Sequence, residues 1–138
     1  MEFVLVLTIS LPWPPAATSA NASSPGNWRK KTDAARSYKQ DCAWIIRAAK
    51  VKPAGFAPVC VAVTFNPPAS TSRYDLDNLL GRAKQGLDAL SEAIGVDDAL
   101  WQEMRLLRGV KGGQGSISVT VSPWVENAFA VELRGTIS

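Results

Sequence analysis

Asp75-Leu76-Asp77-Asn78 and, about twenty residues on, Asp97-Asp98 set four carboxylates around one stretch of helical periodicity, in a chain with no histidine. Oxygen donors without imidazole suit a hard cation such as Mg²⁺ better than zinc or copper. The two cysteines, Cys42 and Cys60, form no CxxC motif, which also argues against zinc. With histidine unavailable as acid, base or ligand, a cation bound by these acids becomes the natural carrier of chemistry. On extended chain the two acids of an Asp-x-Asp pattern point to one side, so Asp75 and Asp77 can share an ion that offsets their repulsion. Each acid also has a plainer role: Asp77 as a helix cap, Asp97-Asp98 as a solvated loop pair.

The element between the acids is a helix predicted over 77–94. Leu76, Leu79, Leu80, Ala83, Leu87, Leu90 and Ile94 recur at helical spacing, and Gly95 supplies the stop. Steps of 4, 7 and 11 residues return to one face of a helix, so Asp77 shares its face with Gly81, Lys84 and Asp88. That face suits a phosphate backbone: a carboxylate, a position without a side chain, then a cation. The alternative is an exposed Lys84–Asp88 pair contributing a few tenths of a kcal/mol.

The remaining elements frame this helix. Residues 2–11 predict a strand with Phe3, Leu5, Leu7, Ile9 and Leu11 on one side, ended by Pro12-Trp13-Pro14-Pro15. Residues 16–32 predict a flexible loop. A helix capped by Thr32 or Asp33 runs to Lys50, with Tyr38, Cys42, Ile45 and Ala49 inward and Arg36, Lys39, Arg47 and Lys50 opposite. Strands are expected at 58–66, at 99–110 and around Ile117, Val119 and Val121. Residues 123–138 form a C-terminal extension in which Phe129, Val131 and Leu133 alternate as in an edge strand. The order β-α-β-α-β-β predicts one α+β domain over 1–138, two helices packed on a small mixed sheet.

Charge divides along the chain. Residues 1–70 carry eight Lys/Arg against three acids, residues 71–138 seven against nine, within a net charge of +3. A basic half beside an acidic half fits a metal-dependent enzyme acting on a polyanion, though scattered surface charge accounts for it equally well. Both cysteines lie on apolar patterns and read as buried thiols of a reducing compartment. The opening apolar run lacks a basic n-region, and no segment reaches transmembrane length, so a cytoplasmic protein without membrane contact is expected.

The chain resembles the RusA-type Holliday junction resolvases, small dimeric endonucleases common in prophages. The likeness runs from about residue 9 to 122 through Leu11-Pro12-Trp13-Pro14-Pro15, Asp75-Leu76-Asp77-Asn78, Lys84 with Leu87-Asp88-Ala89-Leu90, and Gly95-Val96-Asp97-Asp98. It implies an Mg²⁺-dependent nuclease (Mn²⁺ a plausible substitute) with Asp75, Asp77 and Asp98 as metal ligands and Lys84 as the catalytic lysine. It also implies four-way junction DNA as substrate and a homodimer as the active form. In the family's best-known form the lysine follows the second Asp by four residues, whereas Lys84 follows Asp77 by seven. It keeps its helical face but moves about 5 Å along the axis, which leaves Arg82 as an alternative cation. Backbone contacts to DNA are expected from Arg29, Lys30, Lys31, Arg36, Lys39 and Arg47, with Arg73 and Arg82 nearer the acids. Asn21, Trp28 and Arg29 are the DNA-contacting members of the N-terminal loop.

Helix length raises a difficulty. A straight helix over 77–94 is roughly 25 Å long, while cation ligands lie within about 2–2.5 Å of the ion. Either the helix is short or broken, at Gly81 or Gly86, or Asp98 comes from a partner subunit. An isologous dimer also matches a junction that needs two symmetric cuts. Two other functions remain: a branched-DNA-binding protein of this fold without cleavage, and a carboxylate hydrolase for a small phosphate or sugar.

Overall fold

A computed structural model of the chain describes residues 6–18, 28–55 and 58–125. The elements are β1 (Leu7–Pro12), a 3₁₀ turn (Ala16–Thr18), α1 (Trp28–Ala48), β2 (Val59–Asn66), α2 (Leu76–Ile94), a second 3₁₀ turn (Asp98–Leu100), β3 (Glu103–Arg108) and β4 (Ser116–Pro123). The fold is α+β: two helices and one mixed four-stranded sheet in the order β1-β4-β2-β3. β4 is antiparallel to both β1 and β2, and β3 runs parallel to β2.

Alternation in the strands explains the layering. Leu11, Ile117 and Phe65 stand in one cross-strand row and Ile9, Val119 and Val63 in the next, all buried. This face packs on Tyr38, Cys42 and Ile46 of α1 and on Leu79, Ala83, Leu87, Leu90 and Ile94 of α2. The rows between them, Thr8–Thr120–Ala62 and Ser10–Ser118–Thr64, lie on the other face, where every residue is half-buried or exposed. Both helices therefore cover the same side of the sheet.

The helices meet closely because Gly86 has no side chain. A Cβ there would stand 2.9 Å from Cys42 Sγ and 3.1 Å from Tyr38 Cε2. The Tyr38 hydroxyl donates to the Pro12 carbonyl at 2.7 Å, tying α1 to the end of β1. α2 ends where expected: Gly95 takes φ 72° and donates its N–H to the Ser91 carbonyl at 3.0 Å.

Several expectations are corrected. α1 begins at Trp28, so Thr32 and Asp33 lie inside it, and the Thr32 hydroxyl donates to the Trp28 carbonyl one turn back. The expected loop 16–32 thus has helix at its end and a 3₁₀ turn at its start, where Thr18 is buried and donates to the Pro15 and Arg82 carbonyls. The buried stripe of α1 is Tyr38, Cys42 and Ile46, with Ile45 half-buried and Ala49 exposed beyond the helix end. Lys50, expected within the helix, lies past it at φ 57°. β3 is shorter than 99–110, because Asp98–Leu100 forms the second 3₁₀ turn. The proposed edge strand at Phe129, Val131 and Leu133, residues 2–5 of the first strand, and Asn21 lie outside the described residues.

Candidate functional site

β2 ends at Asn66, Pro67-Pro68 prevents its continuation, and the chain returns through 69–74 to the start of α2. The loop is tied to the end of β3. Arg108 Nη1 donates to the Tyr74 carbonyl at 3.2 Å, and its guanidinium lies 4.6 Å from the centre of the Tyr74 ring. Asp75 then occupies the N-cap position in extended conformation, yet its side chain makes no capping bond. Its carbonyl accepts from Leu79 N at 3.0 Å, so the helix starts without using the carboxylate. Asp77, in the first turn, is exposed and accepts from Asn78 N at 2.9 Å. Both acids also sit where the helix macrodipole favours negative charge.

From Asp77 a groove of about 370 Å³ runs along α2. Its walls are Asp77, Leu80, Gly81, Lys84 and Leu87 on one side and Asp98, Trp101 and Met104 on the other. The face deduced from helical spacing is therefore the lining of a real depression. A Cβ on Gly81 would meet nothing within 4 Å, so the helix backbone is open to an approaching ligand there. The opposite wall is braced by Trp101, whose indole N–H donates to the Val96 carbonyl at 3.1 Å.

The two acids that follow Gly95 divide the work. Asp97 accepts from Ala99 N at 3.0 Å and caps the second 3₁₀ turn. That amide holds the Asp97 carboxyl below the ordinary carboxylate range. Asp98 instead lines the groove, within hydrogen-bonding reach of Asp88 on α2. Burial raises Asp88 above the ordinary carboxylate range; Lys84 beside it opposes the rise and Asp98 adds to it.

α2 is continuous from Leu76 to Ile94, straight through Gly81 and Gly86, so the short or broken helix is ruled out as the means of uniting the acids. Asp77 and Asp88 are eleven residues apart, about 16 Å of helix axis. Asp77, Lys84 and Asp98 line the groove, Asp75 precedes it at the helix N-cap, and Asp88 stands beside Asp98 in a neighbouring depression. Among the described residues, no three Asp, Glu or Cys side chains are grouped closely enough to hold a metal ion. The donor chemistry of Asp75 and Asp77 still fits Mg²⁺, which protein sites commonly hold by one or two carboxylates together with substrate phosphate.

The cations expected to meet DNA fall into different settings. Arg29, Lys30, Arg36 and Arg47 are exposed on α1, and Lys31 is half-buried. Trp28 and Arg29 belong to the first turn of α1 rather than to a loop, with the guanidinium 5.1 Å from the indole. Arg73 is exposed just ahead of the acids. Lys39 instead joins Glu92 at 2.8 Å. Arg82 turns to the far side of α2, where its Nη2 donates to the Pro14 carbonyl at 2.6 Å and it stacks on Trp13 at 5.7 Å. It anchors the Pro12–Pro15 segment, away from the groove wall that Lys84 occupies.

Sequence reasoning passed over Arg108, Trp101 and Trp44. Arg108 and Trp101 owe their roles to contacts across the fold, which no local pattern announces. Trp44 had a signal, an indole off the buried stripe of its helix, and it is 70 % exposed. Comparison with protein-family models and with curated proteins finds no match to the chain. Among the described residues, no helix is long and apolar enough to cross a membrane.

Proposed function

We propose that the protein is an Mg²⁺-dependent, structure-selective DNA endonuclease that resolves four-way junctions by paired nicks, with Mn²⁺ able to replace Mg²⁺. The observation that carries this reading is the groove on α2: Asp77, Gly81 and Lys84 share one open wall and Asp98 faces them. A bound Mg²⁺ supplies charge neutralisation at the scissile phosphate. Asp75, whose side chain makes no capping bond, and Asp77, which commits one oxygen to Asn78 N, hold it. Gly81 admits the phosphodiester backbone against the helix. Lys84, two turns from Asp77, donates to the oxygens on which negative charge grows. Exposed Arg29, Lys30, Arg36 and Arg47 bind the flanking backbone, so affinity falls steeply with salt.

Although Asp98 lines the same groove as Asp77, among the described residues it is not grouped with Asp75 and Asp77 closely enough for the three to hold one ion. It acts in the site of a partner subunit, and a homodimer then presents two sites to the two-fold junction. A cytoplasmic setting accords with Cys42 and Cys60, both free thiols.

The separation of the acids also favours a second reading, a branched-DNA-binding protein of the same fold that does not cleave. Incubation with a synthetic four-way junction decides between them. The nuclease nicks symmetrically in Mg²⁺ or Mn²⁺, and Asp77→Asn abolishes nicking while junction binding survives. Tight binding with no nicking in either metal leaves the second reading; no binding at all removes both.

A further inference from the structure

The outward face of α1 carries a feature that cleavage does not use. Tyr38, Cys42 and Ile46 are buried and set the inward direction of the helix. At about 100° per residue, Arg29, Arg36, Gln40 and Arg47 fall on the opposite side, and all four are exposed. Trp44 stands beside this line. With Gln40, Asp41, Ala43 and Arg47 it lines a shallow depression of about 360 Å³. The packing of α1 is against α2, the first 3₁₀ turn and β1, so this face lies away from them, although Arg47 at its end also borders Ala89, Glu92 and Ala93 of α2.

A large indole left in water is unfavourable, and its surroundings specify what would cover it. A protein partner calls for apolar neighbours around the ring. Here the helix as a whole carries six basic residues against two acidic ones. Within one turn of Trp44 stand Arg47 and Asp41, and the basic excess lies further along the helix, at Arg36 and Arg29–Lys31. Cationic flanks with a flat aromatic face suit a nucleic-acid strand that has a base free to stack. Fully paired duplex hides its base faces, whereas a branch point or gap exposes them.

We propose that Trp44, with Arg47 one turn on and Arg36 two turns back along the same outward face, is a stacking site for an unpaired base, so that α1 distinguishes branched or gapped DNA from continuous duplex. This rests on the DNA-directed reading above but not on cleavage. The indole stacks on the exposed base while the two arginines hold the adjoining phosphates. Selectivity for structure then arises on α1, separately from the acids of α2.

Fluorescence anisotropy with labelled DNA tests this on the full-length protein without divalent metal. Three probes of equal length serve: a continuous duplex, the same duplex with a two-nucleotide gap, and a four-way junction. Trp44→Ala, on an exposed position, leaves the circular dichroism spectrum unchanged. It is expected to weaken binding to the gapped duplex and the junction about tenfold, and to the continuous duplex less than twofold. Trp44→Phe keeps most of the preference, since a ring remains. Arg47→Ala weakens all three probes and reduces the salt slope by about one. Equal loss on all probes, or no loss on any while wild type still binds the junction, overturns the stacking site but leaves the nuclease reading intact. Conversion of a dimer to a monomer by Trp44→Ala in sedimentation also overturns it, because the face is then a subunit interface. Failure of wild type to bind any probe overturns the DNA-directed reading itself.

Discussion

Lys39 on α1 and Glu92 on α2 form an ion pair, Nζ to Oε1 2.8 Å, that bridges the two helices near Asp88 and Asp98. The hydrogen bond from Lys39 to Glu92 raises the lysine above its ordinary range. Both side chains are substantially exposed, so solvent screens the pair and its net contribution stays below about 1 kcal/mol. With its charge already matched, Lys39 is a poor phosphate ligand. Lys39→Met is expected to change the unfolding free energy by less than about 1 kcal/mol. It should alter the salt dependence of DNA binding less than Arg36→Met or Arg47→Met. Titrations across a salt series check this, and an equal effect at all three positions contradicts it.

The distance between the acids predicts complementation. A dimer with Asp75→Asn on one chain and Asp98→Asn on the other retains one intact composite site and one doubly damaged site. Such purified heterodimers should nick one strand of a junction, while each homodimeric mutant is inactive. Inactive heterodimers, alongside active wild-type/mutant controls, would place all three acids in one chain's site.

Two glycines of α2 have opposite surroundings. A Cβ on Gly81 meets open space, so Gly81→Ala should raise stability by about 0.5–1 kcal/mol through helix propensity. The same methyl projects into the groove and should slow nicking. Gly86→Ala drives a methyl into Cys42 Sγ at 2.9 Å and should lower stability by about 1–3 kcal/mol. Adding Cys42→Ala removes the obstructing sulfur and should restore part of that loss. Urea midpoints decide, and a destabilised Gly81→Ala variant argues against an open groove wall.

Asp88 provides a pH signature. Burial and Asp98 lift its folded-state pKa above the unfolded value despite Lys84, so the folded protein binds more protons than the unfolded chain between the two values. Stability from this group is greatest below the ordinary carboxylate pKa and declines as pH rises through the elevated one. Asp88→Asn removes the buried charge and is expected to be more stable than wild type at neutral pH, with a flatter profile in the acid range. Denaturant unfolding at several pH values checks this; a variant less stable at neutral pH would mean that Lys84 and Lys39 outweigh burial.

Much of the frame was readable from periodicity. Val59 through Phe65 alternates in and out, and α2 repeats apolar residues (Leu76, Leu79, Leu80, Ala83, Leu87, Leu90, Ile94) every three to four residues up to Gly95. These patterns are local consequences of strand and helix geometry, so they survive without tertiary knowledge. The shared face of Asp77, Gly81 and Lys84 follows from the same geometry. The start of α1 was not readable, since Thr32 and Asp33 resemble caps while the helix continues past them to Trp28. A cap residue inside a helix simply turns its hydroxyl to a carbonyl one turn back, as Thr32 does.

The amino-acid sequence by itself determined the alternating strands, the amphipathic second helix and an all-carboxylate, histidine-free donor set. Tertiary structure decided which of those acids face one another. It assigned Asp97 to a cap and Asp98 to the groove, turned Arg82 onto Pro14 and Trp13, and brought Arg108 to Tyr74. Helical spacing fixes direction around an axis and distance along it. What faces that axis depends on how the chain returns after Gly95, which is set by packing between residues far apart in sequence.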